Sequence, residues 1–417
     1  MSDYRLPTTD RRLPTTANGE RQTANGKLRA VGRKSEVGDR RSEPQWAQLA
    51  VIPFFLLLMT VVPVVQIISE LRRGEPVQEL DIFQQGPTLE GIQSYERALE
   101  DNSVVAEAIR RRVQWLSLVT LRGGNEKAIV GKGDTIFYRP GLDSVIEPGF
   151  MSGPHQEGHP VDAIVAFRDS LRSAGVELAL LPVPGKQTIY PEWLSRRYPT
   201  RAGPPANQDM AEFLAEMKRQ DVRVVDPTGA LWRAKGKADL YLRHDTHWTP
   251  EGLDVVADEL ARRLPPVQGE PRNLRAEAVP IARYGDLFDM LELPQLPTLF
   301  SPQRTTIRRV VDADTAKPLE PDPEAPIVLL GDSFSNIYSW AEMGWGTHAG
   351  LGEQLALRLG QSIDMIIKND GGVNTARASL ARRPDGLSGK KLVIWQFAAR
   401  DLVVSNGDWQ RIKITRG

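Results

Sequence analysis

The chain has 417 residues, 53 Lys plus Arg against 53 Asp plus Glu, and 41% hydrophobic residues. A net charge of zero gives no global attraction to nucleic acid, and the hydrophobic share supplies a core for one large domain or two ordinary ones. With no cysteine, disulfides, thiolate chemistry and zinc–cysteine sites are excluded.

Residues 1–45 are polar and repetitive: RLPTT stands at 5–9 and again at 12–16, and TANG at 16–19 and 23–26. So few apolar residues cannot offset the entropy of ordering, and a disordered tail is predicted. Residues 46–68, WAQLAVIPFFLLLMTVVPVVQII, then run without a charge. As a helix this stretch spans about 34 Å, enough for a hydrocarbon core of about 30 Å. Pro53 and Pro63 are tolerated in a membrane helix. Lys27, Arg29, Arg33, Lys34, Arg40 and Arg41 precede it closely, whereas only Arg72 and Arg73 follow. That asymmetry predicts a cytoplasmic N-terminus and an extracytoplasmic remainder. The 45 polar residues before it are too long for a signal-peptide n-region, so an uncleaved anchor is expected. Residues 70–135 read as a helical stalk or packing region, with an apolar stripe through Val113, Leu116 and Leu118.

From 136 to 417 the pattern is α/β. Five apolar runs are strand candidates: 176–183, 222–226, 327–330, 363–368 and 392–397. Amphipathic helical patterns lie between them, at VDAIVAFRDSLRSAG, NQDMAEFLAEMKRQ, PEGLDVVADELARRL and HAGLGEQLALRLG. Such alternation predicts a mostly parallel sheet with helices on both faces. Residues 265–325 are proline-rich, break the rhythm and read as an insertion.

Two stretches carry chemistry. In LRHDTHWTPEG (242–252), Asp245 and His247 are two residues apart, which in an extended segment puts them on one side, with His244 and Trp248 on the other. Thr249 is a good N-cap and Pro250 a good first helical residue. A metal site using His244, Asp245 and His247 is disfavoured by that same geometry, and a capping turn without catalytic role is the plain alternative. In APIVLLGDSFSNIYSW (325–340), a buried strand runs into Gly331, Asp332 and Ser333 and on into a helix. Ser333 at that entrance is either an ordinary N-cap or a nucleophile whose own N–H faces an oxyanion. Serine needs a base and the base needs a carboxylate. His155 and His159 sit in a Gly/Pro loop and His348 in GWGTHAG, so His247 with Asp245 is the favoured pair for Ser333. KNDGGVNTAR (368–377) follows a strand, and Gly372 and Asn374 are candidate oxyanion donors beside the Ser333 amide; a simple turn is the alternative for Asn374.

Taken together, Asp-Thr-His-Trp-Thr-Pro and Gly-Asp-Ser-Phe resemble the SGNH-hydrolase-like (flavodoxin-like) domain of the alginate O-acetyltransferases, the AlgJ/AlgX family. GDTIFYRPGLD (133–143), PVPGKQTIYP (182–191), YGDLFDMLELP (284–294) and VIWQFAARDL (393–402) extend the resemblance over about 125–402 in order. It implies a triad of Ser333, His247 and Asp245 that moves acetyl groups onto hydroxyls of an exported polysaccharide outside the inner membrane. It also implies a membrane-bound O-acyltransferase as acetyl supplier and a polysaccharide export complex as partners; separately, no cofactor and no metal are expected. One departure is Gln396, where family members often carry Glu. An extracytoplasmic carbohydrate esterase using the same triad is the alternative.

Overall fold

The structure, a computed structural model, describes residues 45–74, 103–151, 158–293, 300–405 and 408–414, with positions 77, 88, 89 and 93. The polar repeats of the tail and His155 therefore lie outside the described residues. The chain divides into two units, residues 1–64 and 65–417, and each is taken by itself. The described part of the first is helical, belonging to helix α1 (Gln45–Arg73). This is the one helix among the described residues long and apolar enough to cross a bilayer, by length and composition.

In the second unit, helix α2 (Val104–Leu121) starts under a Ser103 cap and ends at Arg122 in the left-handed region. The helical reading of 70–135 thus stops at Leu121. Beyond it β1 (Ala128–Val130) and β2 (Ile136–Tyr138) form an antiparallel pair. A short apolar run between turn residues, too brief for a helix, pairs instead as a hairpin.

All five predicted strands are strands of one sheet: β3 (Glu177–Val183), β4 (Arg223–Val224), β7 (Ile327–Gly331), β8 (Asp364–Ile367) and β9 (Leu392–Ala398). The order is β4-β3-β9-β7-β8, with every pairing parallel. Counted from β7 through β8 and β9 and then back to β3 and β4, this reads 2-1-3-4-5, the flavodoxin-like order. The chain enters that order part-way round, so the strand before Ser333 comes third among the five. The switch point lies between β7 and β9, where Ser333 and Gln396 stand.

Both faces are buried, as parallel sheets require. Ala179, Leu181, Val183, Leu329 and Ile394 pack into one core beneath α5 (Pro250–Arg263) and α6 (Leu351–Leu359). Their neighbours Leu178, Leu180, Val328, Leu330, Val393 and Trp395 pack into the other, with α3 (Pro160–Ser173), α4 (Met210–Arg219) and α7 (Gly372–Ala381). Adjacent residues falling into opposite cores is the period-two signature of a strand. Within 265–325, β5 (Leu274–Arg283) and β6 (Gln303–Asp312) form a separate antiparallel ladder of ten residue pairs.

Candidate active site

The turn after β7 brings the first functional side chain out of the sheet. Asp332, and not Ser333, is the N-cap of the short helix Ser333–Asn336: its Oδ1 accepts from Phe334 N at 2.8 Å. Ser333 is therefore the first helical residue, whose N–H has no acceptor within the helix. Gly331 is required by crowding: a Cβ there would lie 2.3 Å from Ser335 Oγ and 3.0 Å from Gln396 Oε1. Gln396 ties the elbow to β9. Its Oε1 accepts from Asp332 N (3.0 Å) and Ser335 Oγ (2.6 Å), while Nε2 donates to Asp332 Oδ1 (2.7 Å). A glutamate here would set a second carboxylate against Asp332, and glutamine supplies the donor instead.

The 242–252 stretch is not extended where its chemistry lies. Leu242 N donates to His247 O (3.0 Å) and Tyr241 pairs with Trp248, so residues 243–246 form a tight reversal. Asp245 and His247 meet because Asp245 Oδ1 accepts from His247 N at 3.0 Å, an Asx-turn, and lies 2.6 Å from His247 Nδ1. A side chain folding back on its own turn, and not strand pleating, brings them together. His247 Nε2 then lies 2.8 Å from Ser333 Oγ. His244 is turned elsewhere, its Nε2 3.4 Å from Asp134 and its ring edge-on to Phe300. Thr249 caps α5, accepting from Gly252 N at 3.1 Å, and Pro250 is the first helical residue. Trp248 is fully buried, edge-on to Phe334, which also packs on the His247 ring. Tyr338 Oη donates to Trp248 O (2.7 Å), a further link between the two halves of the site. Of the other described histidines, His159 caps α3 and His348 faces Glu320.

Three contributors escaped the sequence reading. Trp345 Nε1 donates to Asp245 Oδ2 at 2.9 Å, and Asp286 N donates to the same oxygen at 3.0 Å. Lys186, buried after β3, donates to Ile136 O (2.6 Å) and Arg243 O (3.0 Å), bracing the turn from behind. Asp286 and Lys186 lie in the YGDLFDMLELP and PVPGKQTIYP runs, but nothing in those strings indicates what they face. Trp345 had no signal beyond being a tryptophan.

These contacts set the charges. Burial opposes ionisation of Asp245, but the adjacent His247 and the N–H donors outweigh it and hold this carboxyl well below the usual range. Burial likewise opposes a charged His247, yet Asp245 beside it raises the imidazole above its ordinary value. Burial and the Asp245 charge push Asp286 up to about 6. Burial brings Lys186 down to about 7, against the pull of Asp245.

Asp245, His247 and Asp286 are also close enough to hold a cation together. The hydrogen bonds argue against that use, because both Asp245 oxygens and His247 Nδ1 already serve one another and three further N–H donors.

Ser333 opens on a pocket of about 130 Å³ lined by Gly331, Asp332, Lys368, Asn369, Gly372 and Asp401 among others. A larger depression of about 580 Å³ lies at the opposite, amino edge of β3 and β4. Gly372 thus lines the same pocket as the serine, but Asn374 is not among its lining residues. Its Nδ2 donates to Asp408 O (2.7 Å), and its Oδ1 accepts from Gln410 N (3.0 Å) and Arg377 (2.6 Å). Asn374 therefore pins the C-terminal segment to α7, while Asn369, five residues earlier, lines the pocket with its Nδ2 donating to Met343 Sδ at 3.3 Å.

The family model described as "SGNH hydrolase-like domain, acetyltransferase AlgX" matches residues 154–399, more than half of the chain. Similar relatives include the probable alginate O-acetylase AlgJ of Pseudomonas fluorescens, 28% identical over 274 residues, 63% of this chain and 66% of that protein. The AlgJ of Pseudomonas putida is 32% identical over 192 residues, 43% of this chain and 49% of its own. The chain thus spans about half to two thirds of the length of these relatives. Among solved structures, the O-acetyltransferase domain of Pseudomonas putida AlgJ superposes with a TM-score of 0.51 at 23% identity, covering 66% of this chain and 91% of that one. Pseudomonas aeruginosa AlgX gives 0.50 at 20% identity, with 66% and 65% covered. Both share this fold. The chain belongs to the family of SGNH hydrolase-like AlgX acetyltransferase domains.

Proposed function

We propose that the chain is a membrane-anchored O-acetyltransferase that carries acetyl groups on Ser333 to hydroxyls of an exported polysaccharide. The observation that carries this reading is the 2.8 Å contact of His247 Nε2 with Ser333 Oγ, continued at 2.6 Å to Asp245. In the first step Ser333 Oγ attacks the acetyl carbonyl carbon of an activated ester and its proton passes to His247 Nε2. Asp245, ionised, holds the ring and stabilises the imidazolium. The tetrahedral oxyanion is met by the Ser333 N–H, with Gly372 N–H and the Asn369 amide as further donors. Collapse expels the leaving group, which takes the proton from His247. A sugar hydroxyl then attacks acetyl-Ser333, giving its proton to His247, and collapse returns the proton to Oγ.

The relatives' names point to alginate as the polymer. Helix α1 supports an anchored protein, and the excess of Lys and Arg before it supports a catalytic unit outside the inner membrane. A membrane-bound O-acyltransferase would supply acetyl across the bilayer, within a polysaccharide export complex. The test gives the full chain in detergent an activated acetyl ester with and without alginate oligosaccharide. Acetylated sugar supports transfer. Free acetate alone, even at high sugar, makes the protein an esterase.

A further inference from the structure

The ladder β5–β6 encloses the Tyr284–Gly285–Asp286 segment, which lies against the Asp245–His247 turn. The approach is close: a Cβ on Gly285 would stand 2.4 Å from both Asp245 Cβ and His244 O, so only glycine lets the backbones meet. At that contact the segment and the turn exchange hydrogen bonds. Asp286 N donates to Asp245 Oδ2 (3.0 Å), and Asp286 Oδ1 accepts from Thr246 N (2.7 Å). The other carboxylate oxygen of Asp286 lies 4.0 Å from His247 Nδ1. A third of the Asp286 side chain remains exposed, so solvent can reach it. A turn of four residues has few restraints of its own, and here its central amide and its catalytic carboxylate are both held from the insertion.

We propose that Asp286 is a positioning residue for the acetyl transfer, acting through Asp245 and His247: the insertion delivers a second carboxylate that fixes the base and favours its charged form in the transition state. The inference rests on the triad reading above. A group that only braced the fold could have been neutral, whereas this one places a negative charge beside the ring that must accept the serine proton. The charged groups around it are Asp245 and His247 on the turn and Lys186 from the loop after β3, while Arg283 and Asp289 on its own segment face each other. Its carboxyl, raised to about 6 by burial and by the Asp245 charge, is ionised at neutral pH.

The test compares full-length wild type, Asp286→Asn, Asp286→Ala and Ser333→Ala in detergent, using hydrolysis of an activated acetyl ester across pH and thermal melting at pH 8. Asp286→Asn keeps an acceptor for Thr246 N and loses only charge. Without that charge His247 protonates less readily, so the acid limb of the rate profile moves to lower pH by roughly half a unit. Its kcat falls by about threefold to tenfold with KM nearly unchanged, and its melting temperature stays close to wild type because the acceptor for Thr246 N is kept. Asp286→Ala loses the acceptor as well and falls further in kcat. A superposable pH profile and wild-type kcat for Asp286→Asn would overturn the assignment, as would losses in both variants that track melting temperature alone. If Ser333→Ala retains activity, the triad reading itself fails; if it is inactive while Asp286→Asn is unaltered, only the role of Asp286 fails.

Discussion

Two loops reach Ser333 and use their polar side chains in opposite ways. In 242–252, Asp245 turns inward on its own backbone and passes its second oxygen to Trp345 and Asp286. In 368–377, Asn374 turns outward and commits both its amide oxygen and its amide nitrogen to the C-terminal segment and Arg377. The first loop is bound to the chemistry from three sides. The second contributes Asn369 and Gly372 to the lining of the serine pocket. A polar residue near a nucleophile is thus part of the site only when its hydrogen-bonding capacity is not consumed elsewhere.

The sharpest way to break this contrast is inside the first loop. Ser333→Ala, His247→Ala and Asp245→Asn should each lower ester turnover by about 10³- to 10⁴-fold while leaving the fold intact, measured as kcat beside a thermal melt. The three losses should not add, because the groups act as one relay. Trp345→Phe removes one of the two outside donors to Asp245, and about tenfold in kcat is expected from a lost charge-assisted hydrogen bond of roughly 1.5–3 kcal/mol. Gln396→Glu sets a carboxylate against Asp332. One of the two must then hold a proton, so the pair's folded-state pKa lies above the ordinary range and the cost grows as pH rises through it. Melting should match wild type near pH 4 and fall below it at pH 8, by about 1–3 kcal/mol. Equal melting curves at pH 8 would count against this account of Gln396. The smallest catalytic effect belongs to the second loop: Asn374→Ala should lose about 1–3 kcal/mol of stability yet keep turnover within about twofold per folded molecule, read from urea melts and active-site titration.

The fold was legible because strands buried on both faces write continuous apolar runs, and all five were found from Val176 to Phe397. The order in which those strands associate is a long-range property, and no local pattern showed that β9 inserts between β3 and β7. At the site, Asp245 and His247 could be paired from spacing since their contact is local, although through an Asx-turn and not an extended strand. Ser333 was visible from its strand-turn-helix setting. Asn374 misled because two of its three partners, Asp408 and Gln410, are more than 30 residues away. Trp345, Gly285 and Asp286 were out of reach for the same reason: each lies at least 40 positions from Asp245, and only tertiary packing shows what they face.

The most direct measurement is the covalent state of Ser333. Full-length protein is mixed briefly with an activated acetyl ester, quenched in acid and mapped by peptide mass spectrometry, then the same sample is chased with alginate oligosaccharide before quenching. The account predicts one acetyl group on the peptide carrying Ser333, absent from Ser333→Ala and moved onto sugar during the chase. Sugar acetylation at full rate with Ser333 unmodified in the trapped enzyme and dispensable in the variant would contradict it.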